Sequence, residues 1–337
     1  MLRIRPLIAV LLLAAIPVTA HASYAHHDEA RSFIREMNER HGFAEAELEQ
    51  LLGQAEYIER VIELIRPPAK RGVRSWQNYR SRFLNGQRIE QGATFWLAHR
   101  ETIEAASERY GVPGEYIVSI LGIETNYGGY TGNFETVSAL ATLAFDYPPR
   151  ASLFRRELEN LLLLAREQQR DPFSYRGSFA GALGYPQFLP SSIRSYAVDF
   201  DRNGRIDFET SPVDAIGSIA NYFAAHGWRP GEPVVQRVHV PAGLDAEPLI
   251  AAGIEPALET RALRSQGIAP VSGDFAPDLA TLFDLPTPGR ETEHWIGYRN
   301  FYVITRYNRS SFYAMAVHQL AQAVREQFDA LAHPARH

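Results

Sequence analysis

The sequence predicts an α+β protein that is mainly α. Apolar residues recur at helical spacing along most of its 337 residues. One stretch, from Arg229 to about Asn300, departs from this pattern, because proline and glycine become frequent and short segments alternate as strands do. With 45% apolar and 22% charged residues, the chain has the composition of a globular protein with a substantial core.

The first 22 residues have the composition of a signal peptide. Arg3 and Arg5 precede an apolar run from Leu7 to Val18, and Ala20-His21-Ala22 provides a small-x-small cleavage pattern. An uncleaved membrane anchor is the alternative, but such a run falls short of the roughly 20 residues that span a bilayer. We therefore expect export, with cleavage after Ala22.

Helical periodicity divides the remaining chain. Two or three amphipathic helices are predicted between Asp28 and Arg66, where Pro67-Pro68 ends the pattern. Further helices are predicted at Thr94 to Tyr110, Glu115 to about Tyr127, Ser152 to Gln169, Pro212 to His226 and Ser311 to Ala332. The predicted units are a helical region (23–93), a core (94–228), a small β-containing insertion (229–300) and a C-terminal return to the core (301–337).

Composition excludes several kinds of chemistry. The chain has no cysteine, which excludes disulfides, thiol nucleophiles, zinc-thiolate sites and lipid attachment at a cysteine. The 34 basic and 39 acidic residues give a net charge of -5 without a polybasic stripe, which argues against nucleic-acid binding. We expect a mature protein without a membrane anchor, and a monomer.

Glu124 interrupts the apolar face of a predicted helix. Ile117, Ile120 and Leu121 precede it at positions i, i+3 and i+4, and the glutamate occupies i+7, where another apolar residue is expected. Burial raises a carboxyl pKa, as a general acid near neutral pH requires. A glutamate that snorkels to solvent or pairs with an arginine would give the same pattern, and the helix alone does not decide between them.

A glycine-rich run follows at 177–192. Three glycines within eight residues and the proline after them rule out a regular helix, so a tight loop that brings backbone close to another group is predicted. Close packing between helices is the alternative. The chain also contains the run Asp199-Phe200-Asp201-Arg202-Asn203-Gly204, which has the opening of a calcium loop, with oxygen side chains at positions 1, 3 and 5 and glycine at 6.

These motifs together resemble the lytic murein transglycosylase B family, glycoside hydrolase family 103. The resemblance rests on five runs that follow one another in the order expected for the family: Ile123 to Thr125, Ala139 to Pro148, Gly177 to Ser192, Asp214 to Phe223 and Thr305 to Asn308. It implies a lysozyme-like catalytic core with an additional helical domain and a small β domain. It also implies cleavage of the MurNAc to GlcNAc β-1,4 bond in peptidoglycan with formation of a 1,6-anhydro-MurNAc end.

The resemblance assigns roles to single residues. The catalytic acid corresponds to Glu124, and the substrate-binding residues correspond to Tyr79, Ser178, Gln187, Tyr222, Tyr307, Asn308 and Tyr313. Glycosidases generally use two carboxyl groups. A transglycosylase can work with one, which first protonates the leaving oxygen and then deprotonates the sugar's own 6-hydroxyl. For each tyrosine taken singly, structural packing is the alternative.

The predicted metal loop departs from the standard form. Asp199, Asp201, Asn203 and the backbone carbonyl of Arg205 take the first ligand positions, but position 12 is Thr210 instead of a bidentate glutamate. In the resembling family the loop closes on a later aspartate, which corresponds to Asp214. We expect a structural calcium ion here; Mg2+, Na+ or a turn without metal are the alternatives.

Three functions fit these observations. The leading one is a periplasmic lytic transglycosylase whose partners are the glycan strands of peptidoglycan, with a cell-wall synthesis complex as a further candidate partner. The others are a hydrolytic muramidase on the same scaffold and a non-catalytic peptidoglycan-binding protein.

Overall fold

The computed structural model describes residues 24–68, 72–276 and 279–333. The predicted signal peptide lies outside the described residues. No helix in the described ranges combines the length and the apolar character needed to cross a membrane.

Helices dominate the described chain, as predicted. The first group comprises α1 (Asp28–His41), α2 (Glu45–Gln54), α3 (Glu59–Ile65), α4 (Trp76–Arg80), α5 (Gly86–Ala98), α6 (Arg100–Tyr110), α7 (Gly114–Thr125) and α8 (Thr136–Phe145). The second comprises α9 (Ala151–Glu167), α10 (Pro190–Tyr196), α11 (Val213–Ala225), α12 (Glu247–Ala251), α13 (Thr260–Ser265), α14 (Arg299–Tyr307) and α15 (Ser311–Ala332).

Helix α7 lies at the centre of the main core. Its first two turns are almost wholly buried, and α5, α6, α11 and α15 pack around it. Ile117, Ile120 and Leu121 have no exposed surface, which confirms the predicted apolar face. The N-terminal helices pack on another part of the same core, where α3 contacts α8. Tyr24 anchors the start of the described chain there, because its hydroxyl donates to Asp146 Oδ2 over 2.6 Å.

The predicted β-containing insertion is a five-stranded antiparallel sheet. Its strands are β3 (Val235–His239), β4 (Leu258–Glu259), β5 (Ala269–Pro270), β6 (Leu279–Leu285) and β7 (Glu293–Gly297). They follow the spatial order β4-β6-β7-β3-β5. Leu282 and Ile296 face a small separate core, whereas Phe283 faces the main core and stacks on Phe301 of α14 at 4.4 Å. The sheet is therefore attached to the helical body by one of its faces.

A second, two-stranded sheet belongs to the main body. Strand β1 (Phe134–Glu135) pairs antiparallel with β2 (Arg176–Gly177), so Phe134 lies opposite Gly177. This pairing brings the segment after α7 next to the start of the glycine-rich run.

Some predicted elements differ from the structure. The helix predicted from Thr94 begins eight residues earlier, at Gly86, because the Asn85 side chain accepts from the Arg88 amide and caps it. A boundary at residue 93 therefore falls within α5. The helix then stops at His99 before α6 begins. The longest strand among the described residues, β6, was not predicted. Apolar residues lie on both of its faces, so it lacks the alternating pattern that marks a strand.

Candidate active site

Glu124 lies in the last turn of α7, where the helix is forced to stop. Asn126 and Tyr127 follow with φ of 52° and 60°, in the left-handed region that few residues other than glycine adopt. The Thr125 hydroxyl lies within hydrogen-bonding distance of two carbonyls, Leu121 O at 3.2 Å and Tyr185 O at 3.1 Å, and accepts from the Gly128 amide. These contacts fix the end of α7, which carries Glu124, against the glycine-rich run.

The Glu124 side chain is half-buried, and its carboxyl group is hydrogen-bonded to one tyrosine. The Tyr313 hydroxyl, at the start of α15, donates to Glu124 Oε1 over 2.6 Å. Burial raises the pKa of Glu124 to about 7, although the hydrogen bond from Tyr313 acts in the lowering direction. No acidic side chain among the described residues contributes to this shift. The carboxyl group can therefore exist in both protonation states near neutral pH, as an acid that later acts as a base requires.

Three of the predicted tyrosines lie around this carboxyl. Burial first, and then the charge of Glu124, raise the pKa of Tyr79, Tyr307 and Tyr313. The Tyr307 hydroxyl donates to Pro186 O over 2.6 Å, which ties α14 to the glycine-rich run. The fold thus brings together side chains from α4, α7, α14 and α15.

Tyr79 is positioned by the neighbouring aromatic rings and by the β sheet. It stacks on Trp76 at 6.3 Å and meets Phe312, the residue before Tyr313, edge to face at 5.6 Å. The Trp76 amide donates to Pro286 O over 2.7 Å, just beyond β6. The sheet therefore supports the helix that carries Tyr79. Trp76 and Phe312 were not singled out from the sequence, because nothing local marks an aromatic that packs on a distant one.

Ser178 and Gln187 both lie within the glycine-rich run. The Ser178 hydroxyl oxygen accepts from the amides of Ala180 and Ala182, so its hydrogen can be donated to a ligand. The Gln187 amide nitrogen donates to Thr131 O and Gly184 O over 3.0 and 2.9 Å. Because the nitrogen already donates to these two carbonyls of the described chain, Oε1 is the Gln187 side-chain atom that can accept from a sugar hydroxyl.

The loop needs its glycines. Gly181 and Gly184 have φ of 82° and 62°, and a Cβ at Gly181 would meet Leu140 of α8 at 2.5 Å. The prediction of a tight loop is confirmed, and the loop also packs closely on a helix.

Tyr222 and Asn308 are placed differently from the other candidates. Tyr222 is only 7% exposed, its hydroxyl donates to Arg306 O over 2.6 Å, and its ring lies 5.0 Å from that of Tyr307. In this position it supports Tyr307 more directly than it could meet a sugar. Asn308 is exposed immediately after α14 ends.

The predicted metal loop connects α10 and α11. Carboxylate oxygens of Asp199, Asp201 and Asp214 lie within 4.8 Å of one another. Asp214 is 2% exposed, although it carries a carboxylate, and it accepts from the amides of Phe200 and Asp207. Asn203 Oδ1 accepts from the Arg205 amide, and Asn203 Nδ2 donates to Asp201 Oδ2 over 2.9 Å.

This arrangement fits a hard divalent cation. All three converging side chains are carboxylates, and oxygen ligands are those that Ca2+ prefers. Three carboxylates held this close repel one another unless a cation lies between them. Asp207, at position 9 of the loop, instead accepts from the amides of Glu209 and Thr210. The later aspartate, Asp214, is thus the residue that closes the acidic cluster.

The chain is similar to characterised proteins over most of its length. Residues 25–322 match the family described as transglycosylase SLT domain. The membrane-bound lytic murein transglycosylase B of Escherichia coli (strain K12) is 41% identical over 310 residues, which cover 89% of this chain and 84% of that protein.

Two solved structures have closely similar folds. Catenated lytic transglycosylase SltB1 from Pseudomonas aeruginosa has a TM-score of 0.84 at 44% identity, covering 90% of this chain and 99% of its own. The Escherichia coli lytic transglycosylase Slt35 in complex with calcium has a TM-score of 0.82 at 41% identity, covering 91% and 96% respectively.

Proposed function

This chain belongs to the transglycosylase SLT-domain family of lytic murein transglycosylases, and from this membership we propose how its cleft acts on peptidoglycan. The protein is a peptidoglycan lytic transglycosylase that cleaves the MurNAc to GlcNAc β-1,4 bond and leaves a 1,6-anhydro-MurNAc end. The assignment of Glu124 as the catalytic residue rests on its half-buried carboxyl group, which accepts from the Tyr313 hydroxyl and has a pKa raised to about 7.

The reaction needs one carboxyl group in two successive roles. Glu124 first donates its proton to the bridging oxygen, the bond from that oxygen to C1 of MurNAc breaks, and the N-acetyl oxygen of the sugar stabilises C1. The Glu124 carboxylate then takes the proton of the 6-hydroxyl while O6 bonds to C1. Glu124 ends protonated, so the next cycle can begin without a proton from solvent.

Tyr313 assists the second role. Its hydroxyl donates to Oε1, and a hydrogen bond to an ionised carboxylate is stronger than one to a neutral acid. It therefore stabilises Glu124 most during the interval in which the carboxylate is charged. The same bond fixes one oxygen, which leaves the other to face the bridging oxygen of the substrate.

The surrounding residues suit a sugar. Tyr79 and Tyr307 offer ring faces to the apolar faces of pyranose rings, since aromatic side chains combine apolar area with a polar edge. Ser178, Gln187 and Asn308 offer hydrogen-bonding groups at the glycine-rich loop and beyond α14. We assign Tyr222 a supporting role in sugar binding, through its contact with the Tyr307 ring.

The acidic loop between α10 and α11 has a structural role in this proposal. We assign to it a structural Ca2+ held by Asp199, Asp201, Asn203, the Arg205 carbonyl and Asp214 in an EF-hand-like loop. The Slt35 structure in complex with calcium and the convergence of three carboxylates support this assignment. When bound, the ion neutralises the acidic cluster and ties α10 to α11. The signal-peptide composition of residues 1–22 supports export to the periplasm.

The reaction products distinguish this function from a hydrolytic one. We would digest purified peptidoglycan and analyse the muropeptides by mass spectrometry. Muropeptides with anhydro-MurNAc ends, lighter by one water than hydrolysed ones, are expected. Reducing ends without anhydro products would mean that water replaces the 6-hydroxyl, and an undigested wall would leave only a binding function.

A further inference from the structure

Tyr130 lies on an exposed loop beside the active site and has no assigned role. It is 67% exposed, which makes it one of the most exposed large apolar side chains among the described residues. Single exposed apolar residues are common and need no explanation by themselves. The position of this one in the loop that joins α7 to β1 sets it apart.

The backbone around Tyr130 is held at both ends by the elements that carry the active site. Its amide donates to the carbonyl of Thr125, the residue after Glu124, over 3.0 Å. The next residue, Thr131, accepts from the Gln187 side chain over 3.0 Å. The Tyr130 ring therefore projects from backbone that lies between the end of the catalytic helix and the glycine-rich loop.

This loop follows a specific and closely packed backbone path. Asn126, Tyr127, Gly128 and Gly132 all have positive φ, and a Cβ at Gly132 would collide with the backbone of Gly177. The two hydrogen bonds beside Tyr130 hold this backbone in place, so a ligand that packs on the ring meets a loop that is already ordered.

We propose that the Tyr130 ring is a stacking surface for a sugar ring of the glycan strand, in a position next to the bond that is cut. The proposal rests on the glycan-cleaving function above and extends it. A pyranose ring presents an apolar face of C–H groups, and an exposed tyrosine offers a flat apolar face of similar size at low conformational cost. Because the ring lies beside and not at the carboxyl group, its contact with the sugar should stabilise the bound substrate and the transition state equally. Tyr130 is then a positioning residue, which changes KM and leaves kcat unchanged.

Steady-state kinetics on glycan strands freed of stem peptides test this. In Tyr130→Ala we expect KM to rise about fivefold, because truncation of an interface tyrosine costs on the order of 1 kcal/mol. We expect kcat to remain within about twofold of the parent value, since a contact equal in both states affects binding alone. Tyr130→Phe keeps the ring and should retain the parent KM.

Tyr57→Ala is the matched control, because Tyr57 is also exposed, at 37%, and hydrogen-bonds to Glu59 in the N-terminal region. Direct binding of the same strands to Glu124→Gln and to Glu124→Gln/Tyr130→Ala separates affinity from turnover. An unchanged KM in Tyr130→Ala, or an equal loss in Tyr130→Phe, would overturn the proposal while anhydro products still support the enzyme's function. Absence of those products from the parent enzyme would instead refute the function itself.

Discussion

Tyr313 and Glu124 are 189 residues apart in the sequence, yet the Tyr313 hydroxyl donates to Glu124 Oε1 over 2.6 Å. The bond joins the last turn of α7 to the first turn of α15. It also opposes the effect of burial on the carboxyl pKa. The acid strength of Glu124 is thus set by the packing of two helices, and several expected results depend on it.

Replacement of Tyr313 by phenylalanine should weaken catalysis without unfolding the protein. A hydrogen bond to a charged group contributes on the order of 2 kcal/mol, so kcat should fall by about tenfold or more. The pKa of Glu124 should rise, because the bond that lowers it is removed. The pH-rate profile is the measurement, with Tyr57→Phe as control; an unshifted profile would contradict this role.

Glu124→Gln should abolish turnover and keep the fold. Loss of a general acid and base costs on the order of 100-fold to 10,000-fold in rate. Release of muropeptides from purified wall measures it, and circular dichroism checks the fold. Glu135→Gln is a useful contrast, because the Glu135 carboxylate caps α8 by accepting from the amides of Val137 and Ser138. That variant should lose stability but retain measurable turnover.

Activity should decline as the pH rises through about 7, because Glu124 must be protonated to serve as the acid we propose, and its pKa is raised to about 7. The free energy of unfolding should also fall as the pH rises. The folded state binds this proton more tightly than the unfolded state, so the stabilisation is complete below about pH 4.5 and is lost as the pH rises through 7. At pH 8, Glu124→Gln should be more stable than the parent by on the order of 3 kcal/mol. Denaturant titrations of the parent and of Glu124→Gln at pH 4 and pH 8 test this. An equal difference in their free energies of unfolding at the two pH values would refute it.

Calcium should raise the melting temperature and chelator should lower it. A ligand at about 100 times its Kd stabilises the folded state by about 2.7 kcal/mol. Asp201→Asn should remove most of this response, whereas Asp274→Asn, which alters an exposed aspartate paired with Arg264 in the β region, should preserve it. Melting curves that do not respond to calcium or chelator would rule out a structural ion.

His318 should make the protein sensitive to acid. Burial lowers its pKa to about 4, and its Nδ1 lies 2.9 Å from the Tyr116 hydroxyl. Because the folded-state pKa lies below that of the unfolded chain, the stability from neutral His318 is present above about pH 6.5 and is lost as the pH falls through 4. In His318→Gln the loss of stability between pH 6.5 and 4 should be smaller, as measured by denaturant titration. The exposed His239→Gln should behave as the parent does.

Local sequence was enough to predict the long amphipathic helices. The predicted span of α15, Ser311 to Ala332, agrees with the structure, because its apolar stripe and its Ser310 cap are both local features. Strand β6 escaped prediction for the opposite reason. Its Phe283 faces the main core and its Leu282 faces the smaller one, so a strand buried on both sides shows no alternation.

The sequence by itself determined the helical class, the apolar face that ends in Glu124 and the order of motifs that marks the family. Each of these depends on residues close together in the chain. Only the tertiary structure decided what surrounds the carboxyl group: Tyr313 at hydrogen-bonding distance, Tyr307 tied to Pro186, and Tyr79 supported by the β sheet. These contacts join segments far apart in sequence, and their distances follow from how the helices pack.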